Sequence, residues 1–176
     1  MKNKQHVNMF LVDDDPMYLK TLENNFLKES AHYDAKVTTF LTGDDCLHNM
    51  HLKPDVIVLD YYLDGFSAKA INGLEILKKI KSANEHTEVI MLSGQDKIDI
   101  AVNSMKYGAF DYIVKNESAF VRTQNVINNI INNKKLKSEA KEQRIWLTVL
   151  SVFIFILVSS ILIIGFFAPG SFKPFN

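Results

Sequence analysis

Two hydrophobic periods alternate along the first part of the chain. His6–Val12 (HVNMFLV) is a short apolar run that stops at Asp13-Asp14-Asp15-Pro16, where Asp15 can cap a helix with Pro16 in its first position. Leu19, Leu22 and Phe26 then recur at helical spacing. Ala35–Phe40 is rich in strand formers, and Thr42–His51 reads as a short helical stretch. Asp55–Leu59 (DVIVL) is a continuous apolar run, the pattern of a strand buried on both faces. Leu74, Leu77 and Ile80 share one side of a third helix, and Val89–Leu92 is a fourth strand. Ile98–Tyr107 predicts a helix closed by Gly108, Asp111–Val114 a fifth strand, and Ser118 the cap of a last helix running to about residue 133. Five strand–helix units in sequence predict an α/β domain, a doubly wound, five-stranded parallel sheet with right-handed crossovers.

The pattern changes at residue 145. Residues 145–168 (IWLTVLSVFIFILVSSILIIGFFA) contain no charge, Asn, Gln or Pro. A helix of this length spans about 36 Å, against roughly 30 Å of bilayer hydrocarbon. Its polar members, Thr148, Ser151, Ser159 and Ser160, can all hydrogen-bond back to the helix. The competing reading is a buried core helix, but such helices are shorter and usually carry a polar face. The segment is expected to be a single transmembrane helix, and its place near the end of the sequence argues against a signal peptide.

Charge follows the same division. The formal net charge of zero is a sum of opposites. Residues 1–133 carry −4, residues 134–144 (KKLKSEAKEQR) carry +3, and residues 169–176 carry +1. The expected organisation is a folded domain over 1–133, a basic juxtamembrane linker over 134–144, the span over 145–168 and a short tail over 169–176. Five basic residues before the span against one after it place the domain on the cytoplasmic side of the cytoplasmic membrane. Trp146 at one end, with Phe172 and Phe175 at the other, suits the two interfaces. Beside a span, the basic run fits anionic membrane lipid better than nucleic acid. The single cysteine, Cys46, excludes an internal disulfide and reads as a packed or idle thiol.

In open parallel sheets the working site lies beyond the carboxyl ends of the strands. The predicted strands end at Asp13 and Asp14, at Asp60, at Ser93 and at Lys115. Each alone has a plainer reading: an acidic helix N-terminus, a strand-end cap, a turn serine, a solvated lysine. Together they place three carboxylates, a hydroxyl and an ammonium at one edge. Grouped carboxylates raise one another's pKa unless a cation sits among them, and hard oxygen ligands in an open site suit Mg²⁺. A metal, a cation, a donor and a nucleophile are the parts of phosphoryl transfer, and Asp60 is the natural nucleophile because carboxylates form acyl-phosphates. No Gly-rich phosphate loop follows a strand. The second aspartate that a haloacid-dehalogenase phosphatase needs two positions after the first is here Tyr62. His48 and His51 lack ligand company and read as a solvated face.

MFLVDDDP, DVIVLD, VIMLSG and GAFDYIVK resemble the receiver domain of two-component response regulators, over about residues 5–133. The resemblance implies a flavodoxin-like strand order 2-1-3-4-5. It implies that Asp60 accepts a phosphoryl group from a sensor histidine kinase or histidine phosphotransfer protein. Asp14, Asp60 and the Tyr62 backbone carbonyl would bind Mg²⁺, with Asp13 acting through water. Ser93 and Lys115 would contact the phosphoryl oxygens. Tyr112 matches an aromatic switch position, turning inward as Ser93 moves toward the phosphate. Tyr62 and Gln95, two after Asp60 and Ser93, are candidates for tuning the lifetime of the phosphoryl group.

The sequence departs from the family in three places. Leu63 is followed by Asp64 instead of Pro; Asn72-Gly73 places its glycine thirteen positions after Asp60, about five too many for the family; and Lys115 is followed by Asn116 instead of Pro. The longer loop, YYLDGFSAKAING, either reshapes access to the site or is a tolerated insertion, since added loop length costs little. The expected protein is a membrane-tethered, single-receiver response regulator without a separate output domain or independent substrate turnover. It would signal to a downstream protein target, and no DNA-reading helix-turn-helix is left to assign. The rival is a membrane-bound pseudo-receiver scaffold that works without phosphorylation.

Overall fold

The first apolar run forms strand β1 (Gln5–Val12), and the acidic turn behind it starts helix α1 (Pro16–Glu29). Asp15 caps that helix as its position suggests: its Oδ1 accepts the amides of Met17 at 2.8 Å and Tyr18 at 3.2 Å. The computed structural model describes residues 5–29, 33–63 and 72–167. Within these the order continues with β2 (Tyr33–Phe40), α2 (Gly43–His48), β3 (Val56–Asp60), α3 (Gly73–Ala83), β4 (Glu88–Ser93), α4 (Ile98–Lys106), β5 (Asp111–Val114) and α5 (Ala119–Phe167). The sheet is parallel throughout, in the order β2-β1-β3-β4-β5.

Period-two alternation sorts the strand side chains onto two faces. Val7, Met9 and Leu11 of β1, with Val56 and Val58 of β3, pack against Leu19, Leu22 and Phe26 of α1 and Ile127 and Ile130 of α5. Phe10, Val12, Ile57 and Leu59 pack on the other side against Ile76, Leu77 and Ile80 of α3. All five positions of β3 are buried, which explains its unbroken apolar run. Cys46 is fully buried in the second cluster, and burial pushes its thiol up to about 12.

Several boundaries differ from the pattern. Thr42–His51 is not one helix: Thr42 caps α2, which ends at His48, and Met50–Leu52 is a separate 3₁₀ turn closed by Lys53 at φ 52°. β2 begins at Tyr33, two residues before the β-rich stretch, because β1 supplies partners from Gln5 onward. Ser118 sits just before α5, but its hydroxyl donates to Asn116 Oδ1 at 2.9 Å. Gly108 follows α4 as expected, at φ 91°, a conformation that glycine adopts without strain.

The chain divides into two units, Met1–Ile131 and Asn132–Asn176. In the second, the apolar side chains from Ile145 to Ile163 are exposed. Thr148, Ser151, Ser159 and Ser160 donate to Arg144, Thr148, Phe155 and Leu157 carbonyls at 2.8–2.9 Å, so each hydroxyl is satisfied by its own helix. This is the one helix, among the described residues, long and apolar enough to cross a membrane. Phe172 and Phe175 lie outside the described residues.

The lengthened loop returns to the sheet through Asn72-Gly73. Asn72 Oδ1 caps α3 by accepting the Glu75 amide at 3.1 Å, and the Gly73 amide donates to the Tyr61 carbonyl at 2.9 Å. A Cβ at Gly73 would overlap the Asp60 carbonyl oxygen and approach Tyr61 Cα to 2.8 Å. Glycine is therefore needed there for close backbone approach, whatever the loop length. Gly73→Ala is expected to lower unfolding stability by about 1–3 kcal/mol, as overpacking does, measured by denaturant titration. A Gly73→Ala protein as stable as the wild type would show that α3 can step back from Asp60.

Candidate functional site

Each strand ends by handing its next residue to the same edge. The Asp13 amide donates to the Phe40 carbonyl at 3.1 Å, that of Tyr61 to Leu92 at 2.8 Å, and that of Lys115 to Ser93 at 2.7 Å. These bonds extend the ladder by one residue and fix the direction of the site side chains. Asp13, Asp14 and Asp60 thereby converge, with one carboxylate oxygen from each within 4.8 Å of the others. Asp13 and Asp60 are buried and Asp14 is half-buried.

Lys115 crosses from β5 into this group. Its Nζ lies 2.6 Å from Asp13 Oδ2 and 3.1 Å from Asp60 Oδ2. Asp13 Oδ1 accepts the Asp15 amide at 3.1 Å. The remaining oxygen of Asp60, Oδ1, is buried and has no hydrogen-bond partner among the described residues. A buried carboxylate oxygen without a donor is costly unless a cation meets it. All the donors are hard oxygens, and Lys115 occupies only the Oδ2 atoms. The group therefore fits a small divalent cation such as Mg²⁺ at Asp60 Oδ1, Asp14 and Asp13.

Electrostatics point the same way. Burial is the largest effect on Asp60 and pushes its carboxyl up to about 6; Asp13 and Asp14 add to this, and Lys115 only partly offsets it. Asp13 is also raised by burial, despite its short contact with Lys115. For Lys115, burial alone would lower the pKa, but the two carboxylates outweigh it and hold the ammonium above its ordinary value.

The other predicted residues lie on the loops around this centre. Ser93 is fully buried. Its hydroxyl donates to the Gln95 carbonyl at 3.1 Å and accepts the Gln95 amide at 3.2 Å, so it serves as a turn serine as well. Tyr112, the aromatic switch position of the resemblance, lies in β5 near this turn. It is 8% exposed, already turned inward, and its hydroxyl donates to the same Gln95 carbonyl at 2.6 Å. The Tyr62 hydroxyl donates to Gln95 Oε1 at 3.1 Å, linking the loops after β3 and β4. Gln95 thus receives three of the predicted residues, which position alone did not reveal. Asp64 falls outside the described residues. Asn116, where the family often has Pro, accepts the Ser118 amide at 3.0 Å through Oδ1.

Sequence reading missed Tyr18. Lys115 Nζ stands 4.7 Å from the centroid of its ring. A signal was present: Pro16 sets the helix phase, so Tyr18 falls in the first turn, beside the acidic pair.

A doubly wound parallel sheet with carboxylates bridged by a lysine at its carboxyl edge defines a class of α/β domain whose site lies at the strand ends. Residues 9–127 match the response regulator receiver domain family, and the chain belongs to it. It is 30% identical over 134 residues to the transcriptional regulatory protein MalR of Bacillus subtilis, covering 75% of this chain and 53% of that protein. It is also 30% identical over 136 residues to the nitrogen assimilation regulatory protein NtrX of Azorhizobium caulinodans, covering 77% of this chain and 28% of that one. The chain spans about half or less of the length of these relatives. Among solved structures, a receiver domain from Clostridium thermocellum has a TM-score of 0.63 at 28% identity, covering 74% of this chain and 98% of that one. The receiver domain of a LuxO repressor protein from Vibrio parahaemolyticus has a TM-score of 0.64 at 24% identity, covering 76% and 95%, and so shares the fold.

The raised Asp60 carboxyl has a sign in stability. The folded state holds this proton more tightly than the unfolded chain does. The contribution is therefore fully present below about pH 4 and is lost as pH rises through about 6. In metal-free protein at pH 7.5, Asp60→Asn is expected to unfold at a higher temperature, by at most about 3 kcal/mol of stability, with the gain vanishing near pH 4. Mg²⁺ should raise the wild-type midpoint and leave that of Asp60→Asn nearly unmoved. Thermal unfolding with chelator and with Mg²⁺ checks both; a destabilised Asp60→Asn at pH 7.5 contradicts the charge argument.

Proposed function

We propose that this chain is a membrane-tethered response regulator that takes a phosphoryl group on Asp60 and signals by a phosphorylation-dependent protein contact. The observation that carries the reading is the asymmetry of Asp60. Its Oδ2 is paired with Lys115 at 3.1 Å, while its buried Oδ1 has no partner among the described residues. In the transfer, an Asp60 oxygen bonds to phosphorus as the P–N bond of a donor phosphohistidine breaks, and the electron pair leaves with the imidazole nitrogen. Asp60 must be ionised to attack. Lys115 holds positive charge beside it and is placed to follow the new phosphoryl oxygens. Asp13, Asp14 and Asp60, with the Tyr62 carbonyl, would hold Mg²⁺, which when bound neutralises charge on the transferring group.

Output follows from how Ser93 is held. Its hydroxyl donates to a neutral carbonyl, and a phosphoryl oxygen is a stronger acceptor. Withdrawal of Ser93 would leave Tyr112 as the hydroxyl on Gln95 and shift the loop into α4. That helix presents Ile98, Val102 and Met105 on one exposed side, an apolar stripe suited to a downstream protein. The Tyr62–Gln95 bond spans the two loops beside Asp60 and would slow water's attack on the acyl-phosphate.

Full-length protein incubated with Mg²⁺ and a small phosphodonor is expected to gain the mass of one phosphoryl group, and Asp60→Asn to gain none. Tyr62→Ala should shorten the lifetime of the modified form; an unchanged lifetime removes the shielding role. No gain with any donor or partner kinase favours the phosphorylation-independent scaffold.

The tether is supported by the exposed apolar helix with its internally satisfied hydroxyls, and by the basic residues 134–144 before it, which suit anionic lipid. It would hold the receiver domain at the cytoplasmic face, concentrate it near membrane kinases and keep it from diffusing to DNA. The full chain should stay in the membrane pellet through an alkaline carbonate wash, and deletion of 145–176 should release it. Release of the full chain would refute the span.

A further inference from the structure

We propose that Tyr18 is a positioning residue for the Lys115 ammonium, holding it over the phosphoacceptor through the face of the phenol ring. The inference rests on the proposed role of Asp60 and adds to it a group on α1. Among the described residues, Lys115 Nζ meets Asp13 Oδ2 at 2.6 Å, Asp60 Oδ2 at 3.1 Å and the Tyr18 ring centroid at 4.7 Å. The distance lies within the range in which a ring quadrupole attracts a cation.

Tyr18 is held there by the sequence before it. Asp13 Oδ1 accepts the Asp15 amide at 3.1 Å, fixing the turn. Asp15 Oδ1 in turn accepts the amides of Met17 and Tyr18 at 2.8 and 3.2 Å, fixing the first helical turn. The ring is half-buried and packs against the cluster shared by α1 and α5. The third aspartate of DDDP thus has work apart from the acidic pair: it sets the angle at which Tyr18 meets the lysine.

A ring does for Lys115 what a carboxylate cannot. Phosphorylation adds phosphoryl oxygens beside the Asp60 carboxyl that Lys115 faces, so the ammonium must shift while remaining in the site. A third carboxylate would hold it more tightly but would repel the incoming dianion. The phenol face attracts the ammonium without adding a counter-charge, and it allows a sliding contact because the attraction is spread over the ring. It also covers the lysine on the α1 side, where bulk water would otherwise screen its charge.

The test uses the full-length protein in detergent with Mg²⁺ and a small phosphodonor, comparing wild type, Tyr18→Leu and Tyr18→Phe. Tyr18→Leu is expected to slow phosphoryl acceptance roughly threefold or more, and Tyr18→Phe to restore most of the rate, since it keeps the ring. Mg²⁺ affinity and unfolding midpoint should be near wild type in both. Proton–carbon spectra of ¹³Cε-labelled lysine give a readout that does not depend on phosphorylation. The Lys115 methylene, assigned through Lys115→Arg, should be shifted upfield by the ring in wild type and Tyr18→Phe and return to the ordinary lysine position in Tyr18→Leu. Wild-type rates in Tyr18→Leu, loss of rate in Tyr18→Phe equal to that in Tyr18→Leu, or an unshifted Lys115 signal would each overturn the proposal. A wild-type protein that accepts no phosphoryl group overturns the proposed function instead, and the Lys115 shift then still decides whether the ring holds the lysine.

Discussion

Everything at the carboxyl edge depends on one ammonium among buried carboxylates. Lys115 reaches Asp13 and Asp60 from the end of a strand that is three places away from β1 and two from β3 in the sheet, so its contacts tie β1, β3 and β5 together across β4. Without it, two buried carboxylates would face each other unpaired, an arrangement that costs several kcal/mol per ion in order of magnitude. With it, the cost is only partly offset, as the raised carboxyls of Asp13 and Asp60 show. The site is therefore left with excess negative charge, and that residual frustration is what makes it receptive to a cation.

The same shortfall gives the neighbouring groups their meaning. Ser93 and Tyr112 lie on the β4–β5 side, and both donate to the Gln95 carbonyl. Tyr18 approaches Lys115 from the opposite side, on α1. The centre thus meets the loop before α4 through side-chain hydroxyls on Gln95, and the first turn of α1 through the Tyr18 ring and the Asp13–Asp15 bond.

Much of this was legible from residue order. β3 and β4 are buried on both faces, so their apolar runs stood out, and the polar residue ending each run marked the edge. Asp15-Pro16 and Gly108 announced a helix start and stop, and the structure uses all three. The start of β2 was hidden because its pairing with β1, and not its composition, extends it to Tyr33. The partner of Tyr112 was hidden because it is a backbone carbonyl seventeen residues away, whose position depends on the loop after β4. Tyr18 was overlooked because a first-turn aromatic usually reads as packing. Its second partner, Lys115, comes from the far end of the domain sequence.

Gly73 has a consequence for how such a chain can vary. Its amide and its missing side chain fasten α3 directly to the backbone of Asp60 and Tyr61. Leu63, just before the longer segment, is buried. With both ends anchored, the stretch between them can gain or lose residues without moving Asp60. The domain thereby separates a part whose geometry leaves no room for a side chain from one open to revision, and the two lie only a few residues apart.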